Sequence, residues 1–322
     1  MFMSRSMKTF ILALLLSLPF FWGGNIFQKN LEDFFFWQKI ANNPYLLTAQ
    51  VASEEQIEAL KPIRNFEVGG LEIEAKSGIS VFLSNQGFER ILFEKESREK
   101  FPIASLTKLM TAETVLENYD LSQEIKISEK AVYQDEDAGN LRVGEVFTAK
   151  ELLYPMLIES SNGAAFALSE IIGEESFVDL MNLEAENLGM ENTYFLNPTG
   201  LDPKSSKSRA NYSTTEDLIK LARRLLETKP ITWEISAEKE FNLSTSDGIF
   251  HHKLTNTNKL LGEIPGIVGG KTGETYLASG CLILIVKAPK EKGYLINVIV
   301  GSENRFEDME KLLNWVETAY KW

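Results

Sequence analysis

The chain has 322 residues, which is enough for one large domain and an appendage. Its net charge of −13, with no Lys/Arg-rich run, argues against nucleic-acid binding and against a broad cationic membrane patch. A single cysteine, Cys281, excludes an internal disulfide and a cysteine metal cluster. Because Cys281 lies in an apolar run, we expect it to be a small buried hydrophobe.

Histidine is almost as rare, with only His251 and His252. Adjacent residues on a strand point to opposite faces, so this pair would be a poor zinc site. A Ser-His-Asp triad would have to use one of the two. We expect both to be exposed polar residues near a turn after Asp247-Gly248, and we expect no metal and no cofactor.

The N-terminus has the pattern of a membrane signal. Arg5 and Lys8 precede an uncharged, largely apolar stretch over 9–27. As a helix this stretch would be about 29 Å long, close to the thickness of the hydrocarbon core. An aromatic run at 34–37 suits the membrane interface.

These features predict a signal-anchor, or a cleaved signal peptide, over 1–30 and a juxtamembrane spacer over 31–66. No A-x-A-like cleavage site follows the apolar stretch. The positively charged flank at Arg5 and Lys8 would stay on the cytoplasmic side of the membrane, so we expect the rest of the chain to be exported. It would be anchored in the cytoplasmic membrane facing the cell wall or periplasm, or secreted after cleavage.

The predicted elements then follow in three groups. Alternating apolar residues predict strands over 77–83 and 90–94, joined through the turn Asn85-Gln86-Gly87. Helical spacing predicts a helix from Ser105 to Leu116, and Phe101-Pro102 before it favours a helix start. The middle, about 120–240, is mostly helical, with helices predicted at 149–157, 164–172, 177–188 and 215–226. Strands at 281–287 and 294–301 and a helix at 306–320 close the chain.

Strands first, helices in the middle and strands last indicate an α/β (α+β) fold. We expect an antiparallel sheet assembled from both ends of a domain over 67–322. Helices flank this sheet, and an all-helical subdomain is inserted at about 120–240.

The first candidate motif is Ser105-Leu106-Thr107-Lys108. Residues three apart on a helix share a face, so Ser105 and Lys108 would be neighbours. A serine hydroxyl becomes a good nucleophile only when a base removes its proton. Lysine can be that base if burial or a second cation such as Lys271 lowers its pKa. Alone, the motif also fits an ordinary capped helix start.

The second motif, Ser160-Ser161-Asn162, falls between two predicted helices. Such residues often serve only as turns and caps. Functionally, Ser160 could relay a proton to the leaving amine. Asn162 could hold a substrate amide and orient Lys108.

The third motif, Lys271-Thr272-Gly273, is followed by Glu274 and Thr275. Glycine at a strand edge lets another backbone approach, so an extended peptide could pair with this strand. Lys271 and Thr272 would then meet a substrate carboxylate. The backbone N–H groups of Ser105 and Glu274 would form the oxyanion hole.

These three motifs, in this order, are typical of β-lactamases and penicillin-binding proteins. The neighbouring sequence resembles the D-alanyl-D-alanine carboxypeptidase family of low-molecular-mass penicillin-binding proteins over about 68–303. The similar segments are 102–112, 151–154, 188–190, 197–202, 256–261 and 270–275.

The resemblance implies a serine DD-carboxypeptidase that removes the terminal D-alanine from peptidoglycan stem peptides through an acyl-enzyme on Ser105. β-Lactam antibiotics would be covalent inhibitors. The implied catalytic residues are Ser105, Lys108, Ser160 and Asn162. The implied substrate-binding residues are Lys271, Thr272, Gly273, Glu274 and Thr275.

Three positions depart from the family pattern. Thr199 stands where histidine is common, and Gly163 stands where aspartate is common. Glu274 replaces a frequent tyrosine or histidine, and its carboxylate could weaken the binding of a carboxylate substrate.

Three alternatives remain open. A β-lactamase needs a glutamate that activates the deacylating water, and Glu184-Ala185-Glu186-Asn187 superficially resembles that motif, although it falls within a helical pattern. A DD-endopeptidase would use the same residues on cross-linked peptides. A degenerate homologue would bind cell wall or penicillin with little activity.

Overall fold

The computed structural model describes residues 62–134, 140–205 and 209–322. The strands are β1 (Ile63–Arg64), β2 (Ser77–Ser84), β3 (Glu89–Lys95), β4 (Phe101–Pro102), β5 (Glu124–Lys126), β6 (Val146–Thr148), β7 (Tyr212–Ser213), β8 (Glu240–Ser244), β9 (Phe250–Thr255), β10 (Ile267–Thr275), β11 (Ser279–Lys287), β12 (Gly293–Ser302) and β13 (Tyr320–Lys321). The α-helices are α1 (Thr107–Asn118), α2 (Glu129–Val132), α3 (Ala149–Ile158), α4 (Asn162–Glu170), α5 (Glu174–Asn187), α6 (Thr215–Thr228), α7 (Ile231–Ala237) and α8 (Arg305–Ala319). Short 3₁₀ turns cover Ala104–Leu106 and Pro289–Glu291.

A five-stranded antiparallel sheet has the order β10-β11-β12-β2-β3. Its central pairing joins the two ends of the domain, with Val81 of β2 opposite Ile296 of β12. The predicted fold class, a sheet assembled from both ends, is therefore confirmed. Strand β10, which carries the third motif, is at an edge of this sheet.

Each face of the sheet has its own apolar core, because consecutive strand residues point to opposite faces. On β11, Ile283 packs with the helical layer while the next residue, Leu284, packs on the other face. Helix α8 covers that second face through Met309 and Leu312, among others. With both faces covered, β2 is buried at every residue and β11 contains the continuous apolar run from Cys281 to Val286.

The region between the two halves of the sheet is mostly helical, as predicted, and contains α1 to α7. Two hairpins, β5–β6 and β8–β9, were not predicted. Helix α3 begins with a capping box in which the Thr148 hydroxyl and the Glu151 carboxylate each accept a backbone N–H of the other residue. The Ser161 hydroxyl accepts the Ala164 N–H at 3.0 Å and begins α4. The Ser161 cap fixes the end of the loop that carries the second motif.

Two local expectations were wrong. Phe101-Pro102 does not start a helix but forms β4, which pairs with β7, and α1 begins only after a 3₁₀ turn. Residues 62–66, expected in the spacer, include β1, which pairs with β13 at the other end of the described chain. Strands of two residues have no periodicity that a sequence pattern could reveal.

The expected exposed histidines are also a wrong prediction. Both lie on β9, and their side chains are 6% and 19% exposed for His251 and His252. The β8–β9 pairing skips His251, since Leu243 faces His252 and Ser244 faces Phe250. A bulge of this kind turns a side chain away from the usual alternation, so the two rings are in contact, with their centroids 4.7 Å apart.

Cys281 is buried, and burial raises the pKa of its thiol to about 12, so its predicted role as a small hydrophobe is confirmed. Residues 1–61, where we expect the membrane signal, lie outside the described residues. Within the described ranges no helix is both long and apolar enough to cross a membrane.

Candidate active site

Ser105 lies in the middle of the 3₁₀ turn that leads into α1, and three chain segments meet at this turn. The preceding Ala104 has a left-handed backbone, with φ of +46°. A Cβ atom at Gly200 would lie 2.0 Å from the Ala104 carbonyl oxygen, and one at Gly273 would lie 2.9 Å from the Ser105 amide nitrogen. Only glycine fits at these two positions, so β10 and the 197–201 segment run directly along the nucleophile turn.

Lys108 is fully buried on α1, one turn beyond Ser105. Its Nζ lies 2.9 Å from the Ser105 Oγ, 2.7 Å from the Asn162 Oδ1 and 2.7 Å from the Thr199 carbonyl oxygen. The amine is therefore within proton-transfer distance of the candidate nucleophile. Asn162 orients Lys108, as its predicted role requires.

Ser160 and Lys271 form a second pair on the opposite side of the site. Ser160 has φ of +66°, a strained conformation for a residue with a side chain. The buried Lys271 donates from Nζ to the Ser160 Oγ at 2.8 Å and to the Thr272 carbonyl oxygen at 2.8 Å. Burial, and then the nearby charges of Lys108 and Arg305, hold the pKa of Lys271 well below its usual value. Lys271 can therefore exchange a proton with Ser160.

These pairs open on a cavity of about 180 Å³. Its walls include most of the predicted site residues, namely Ser105, Ser160, Asn162, Thr272, Gly273, Glu274 and Thr275. Lys108 and Lys271 lie beneath it and contact its walls through Ser105, Asn162 and Ser160. The structure thus brings all the predicted site residues together.

Two of the predicted substrate-binding hydroxyls have partners within the protein. The Thr272 hydroxyl lies 2.6 Å from that of Thr257. The Thr275 hydroxyl donates to Asp202 at 2.8 Å. Asp202 also accepts the Leu277 N–H at 2.9 Å, which ties down the hairpin after β10.

Arg305, the first residue of α8, also lines the cavity and was missed in the sequence. Its guanidinium forms an ion pair with Glu274, whose side chain is 67% exposed. The Arg305 Nε is buried and has no partner among the described residues. No motif surrounds Arg305, and only the fold brings it to the end of β10.

Glu159 lines the cavity as well and was not predicted. Its position directly before the second motif was the only available signal. The carboxylates considered for a β-lactamase, Glu184 and Glu186, lie on α5 and are not part of the cavity wall.

The departures at Thr199 and Gly163 leave the contacts of Lys108 intact. Lys108 uses the backbone carbonyl of Thr199, whose side chain instead donates to Asn197 at 2.9 Å. Gly163 is buried in the first turn of α4.

Comparison with known proteins agrees with this geometry. Residues 64–304 match the sequence model of a peptidase family described as D-alanyl-D-alanine carboxypeptidase. The chain belongs to this family. The resemblance seen in the sequence is therefore confirmed.

Named relatives of the family are similar over most of the chain. A D-alanyl-D-alanine carboxypeptidase of Bacillus subtilis is 33% identical over 258 residues, which are 77% of this chain and 63% of the relative. A D-alanyl-D-alanine endopeptidase of Escherichia coli is 32% identical over 231 residues, which are 68% of this chain and 70% of the relative. The chain thus spans less than two thirds of the length of the Bacillus protein.

Among solved structures, penicillin-binding protein D2 of Listeria monocytogenes in its ampicillin-bound form has a TM-score of 0.67 and 29% identity. The alignment covers 77% of this chain and 99% of the Listeria protein.

Proposed function

We propose that the protein is a serine-type D-Ala-D-Ala carboxypeptidase that removes the terminal D-alanine from peptidoglycan stem peptides. The observation that carries the proposal is the buried contact between the Lys108 Nζ and the Ser105 Oγ at 2.9 Å. The contact joins a base that burial can keep neutral to a hydroxyl at the wall of a cavity. Family membership supports the choice of substrate.

The reaction would begin when Lys108 takes the Ser105 proton. Ser105 Oγ attacks the carbonyl carbon of the penultimate D-alanine, and the N–H groups of Ser105 and Glu274 hold the developing oxyanion. The C–N bond breaks as Ser160 gives its proton to the leaving amine and takes the former Ser105 proton from Lys108, while Lys271 holds the Ser160 Oγ. Lys108, neutral again, takes a proton from water, whose oxygen attacks the acyl carbon. The ester bond breaks, the shortened peptide leaves, and Ser105 takes its proton back from Lys108.

The substrate would lie along the outer edge of β10, since this strand ends the sheet. Among the described residues, Arg305 is the cationic side chain in the cavity wall. The terminal carboxylate of the substrate would approach Thr272 and this guanidinium. The Listeria relative, solved with ampicillin bound, supports β-lactams as covalent inhibitors that enter the same cavity.

A DD-endopeptidase is the second candidate, supported by the name of the Escherichia coli relative. Both activities would use the same residues, and they differ in the leaving group. Incubation with a cross-linked muropeptide and with a linear pentapeptide separates them, because an endopeptidase cleaves the cross-link. A β-lactamase would instead hydrolyse a chromogenic cephalosporin with rapid turnover.

Labelling with a fluorescent penicillin tests the proposal. We expect the wild-type protein to be labelled covalently and to release D-alanine from a D-Ala-D-Ala peptide. The Ser105→Ala variant should fold, by circular dichroism, but should not be labelled. An unlabelled wild-type protein would favour a degenerate, non-enzymatic homologue. A labelled peptide recovered from Ser105→Ala would identify a different nucleophile.

We also propose that residues 1–30 anchor the protein in the cytoplasmic membrane, with the catalytic domain facing the cell wall or periplasm. The support is the cationic flank at Arg5 and Lys8 before the apolar stretch. Cell fractionation followed by N-terminal sequencing tests this, since a cleaved signal peptide would leave a soluble protein with a new N-terminus.

A further inference from the structure

A chain of four titratable side chains leads from the β5–β6 hairpin to the catalytic loop. In spatial order it consists of Glu145, His251, His252 and Glu159, which we call the histidine chain. The Nε2 of His251 lies 3.1 Å from Glu145, and the Nε2 of His252 lies 3.1 Å from Glu159. The Nδ1 atoms of the two rings face each other at hydrogen-bonding distance.

These three contacts fix the number of ring protons. A carboxylate only accepts hydrogen bonds, so each Nε2 must carry a proton. The contact between the two Nδ1 atoms needs one more proton, on one ring or the other. Two neutral imidazoles carry two protons in total, and the arrangement therefore requires a third. With both carboxylates ionised, the three contacts together therefore call for one imidazolium in the pair.

The surroundings disfavour a charge on His251. His251 packs against the Phe147 ring, with the ring centroids 5.5 Å apart. Burial lowers the pKa of His251, and Glu145 opposes this effect only in part. His252 can therefore donate from both nitrogens, to His251 and to Glu159.

Other charged groups also lie near the histidine chain. Arg142 lies on the Glu145 side and disfavours a charge on His251. Lys253 of β9 and Glu240 of β8 form an exposed ion pair with each other. Among these groups, Glu159 is thus the carboxylate that faces His252.

Glu159 connects this chain to the catalytic loop. Its second oxygen accepts the Thr255 N–H at 3.1 Å, so the carboxylate holds β9 at two points. The next residue is Ser160, whose strained backbone needs support from its neighbours. Glu159 itself lines the cavity.

We propose that protonated His252 holds Glu159, and through it Ser160 and Asn162, in the position needed for acylation. His252 and Glu159 are thus positioning residues. As the pH rises through the pKa of the shared proton, the two Nδ1 lone pairs face each other and repel. His252 then releases Glu159, and acylation slows. The effect on acylation rests on the proposed function, whereas the proton count does not.

Imidazole ¹⁵N NMR of the untagged full-length chain tests the proton count directly, because the chain has only two histidines. We expect a plateau with three protonated nitrogens and one bare nitrogen, followed at higher pH by loss of a single proton. Two rings that titrate independently near the usual histidine pKa of about 6.5 would overturn the inference.

Glu159→Gln separates position from charge. The glutamine amide can accept the Thr255 N–H and donate to the Nε2 of His252, so all contacts are satisfied with two ring protons. We expect the plateau to disappear, and the rate of penicillin acylation to lose the alkaline decline caused by this proton. Glu159→Ala removes the support and should slow penicillin acylation about tenfold or more at every pH. With a D-Ala-D-Ala peptide, the loss should appear in kcat rather than in KM.

Lys253→Gln is the matched control, since Lys253 is exposed on the same strand and bonds only Glu240 among the described residues. It should keep the wild-type pH profile. If the wild type is labelled and Glu159→Gln keeps the same alkaline decline, the inference is wrong while the proposed function stands. If the wild type is never labelled, the proposed function fails, and the NMR proton count still decides the inference.

Discussion

The partners of Lys108 determine which way its lone pair points. A neutral amine has two N–H groups and one lone pair. The Asn162 Oδ1 and the Thr199 carbonyl oxygen can only accept, so they take the two N–H groups. In a neutral amine held by these two acceptors, the lone pair would point toward the Ser105 Oγ, the third group in contact with Nζ. The two acceptors thus orient the amine for proton transfer from Ser105.

We therefore predict that Lys108→Arg is nearly as damaging as Lys108→Ala. Arginine keeps the positive charge but cannot lose its proton, so it cannot act as a base. The second-order rate of penicillin acylation should fall about 10²–10⁴-fold in both variants. An acylation rate near that of the wild type in Lys108→Arg would mean that lysine acts only through its charge.

In the proposed binding mode Glu274 would compete with the substrate carboxylate for Arg305, since its own carboxylate already pairs with that guanidinium. We predict that Glu274→Gln lowers KM for a D-Ala-D-Ala peptide and changes kcat less, because the substrate carboxylate is charged in both ground and transition states. The side chain is 67% exposed, so the gain should be about two- to fivefold, as for exposed ion pairs of up to about 1 kcal/mol.

The salt dependence of KM checks this interpretation, since added salt should reduce the difference between Glu274→Gln and the wild type. Glu263→Gln removes an exposed charge that is not part of the cavity wall and should leave KM unchanged. An unchanged kcat/KM for Glu274→Gln at low and at moderate salt would remove Glu274 from the site.

At the scale of elements, the nucleophile turn is shaped by the segments packed against it. Gly200 has φ of +86° and leaves no space for a side chain beside Ala104. Gly173 has φ of +88°, but a Cβ atom placed there would have no atom of the described residues within 4 Å. The two glycines share a positive φ and differ in packing, so they form a useful pair for comparison.

We predict that Gly173→Ala costs about 1–3 kcal/mol, the strain of a side chain at this positive φ, and leaves acylation unchanged. Gly200→Ala should cost more, because the turn must move, and it should also slow acylation by at least about tenfold, as misplaced reacting groups do. Urea unfolding and penicillin labelling of the two variants measure both effects. Equal losses of stability, with normal acylation in both, would show that the turn adapts freely.

Elements with strong periodicity could be predicted from the sequence, and the others could not. The paired strands β2 and β3, helix α6 and helix α8 lie within two residues of their predicted positions. The two-residue strands β4 and β7 have no pattern to detect. The bulge at His251 depends on pairing with β8, which a single strand does not encode.

At the scale of the whole molecule, the candidate site combines residues from both ends of the sheet and from the helical region between them. The motifs revealed Ser105, Lys108 and Lys271 because their chemistry needs fixed residue types at short spacing. Arg305 and Glu159 belong to no such motif. Their roles arise from long-range contacts, which only the folded chain creates.

The buried Lys271 lowers the stability of the whole protein in order to serve the site. Its pKa is lowered in the folded state, so the unfolded chain binds the extra proton between that pKa and the unfolded value of about 10.4. The free energy of unfolding therefore rises with pH across this window between the two pKa values. At pH below the window Lys271 is charged in both states, and folding carries the full cost of burying that charge.

We predict that Lys271→Met raises the free energy of unfolding by about 0.5–2 kcal/mol at pH below the window. The gain should shrink as the pH rises toward about 10.4, while acylation is lost throughout. Urea unfolding at several pH values measures this. Lys311→Met, at an exposed position on α8, is the control and should show no such pH dependence. A gain that is constant with pH would contradict the assignment to the lysine charge.

If β-lactams acylate Ser105 as proposed, the close contact of Gly200 and Gly273 with the nucleophile turn would also restrict evolution under antibiotic pressure. Any side chain at either position collides with the backbone around Ser105, so it would damage the normal reaction together with drug binding. Substitutions that exclude a β-lactam yet spare the natural substrate must arise where the cavity wall is open to solvent. Glu274 is such a position, and resistant variants selected in the laboratory should change there before they change either glycine.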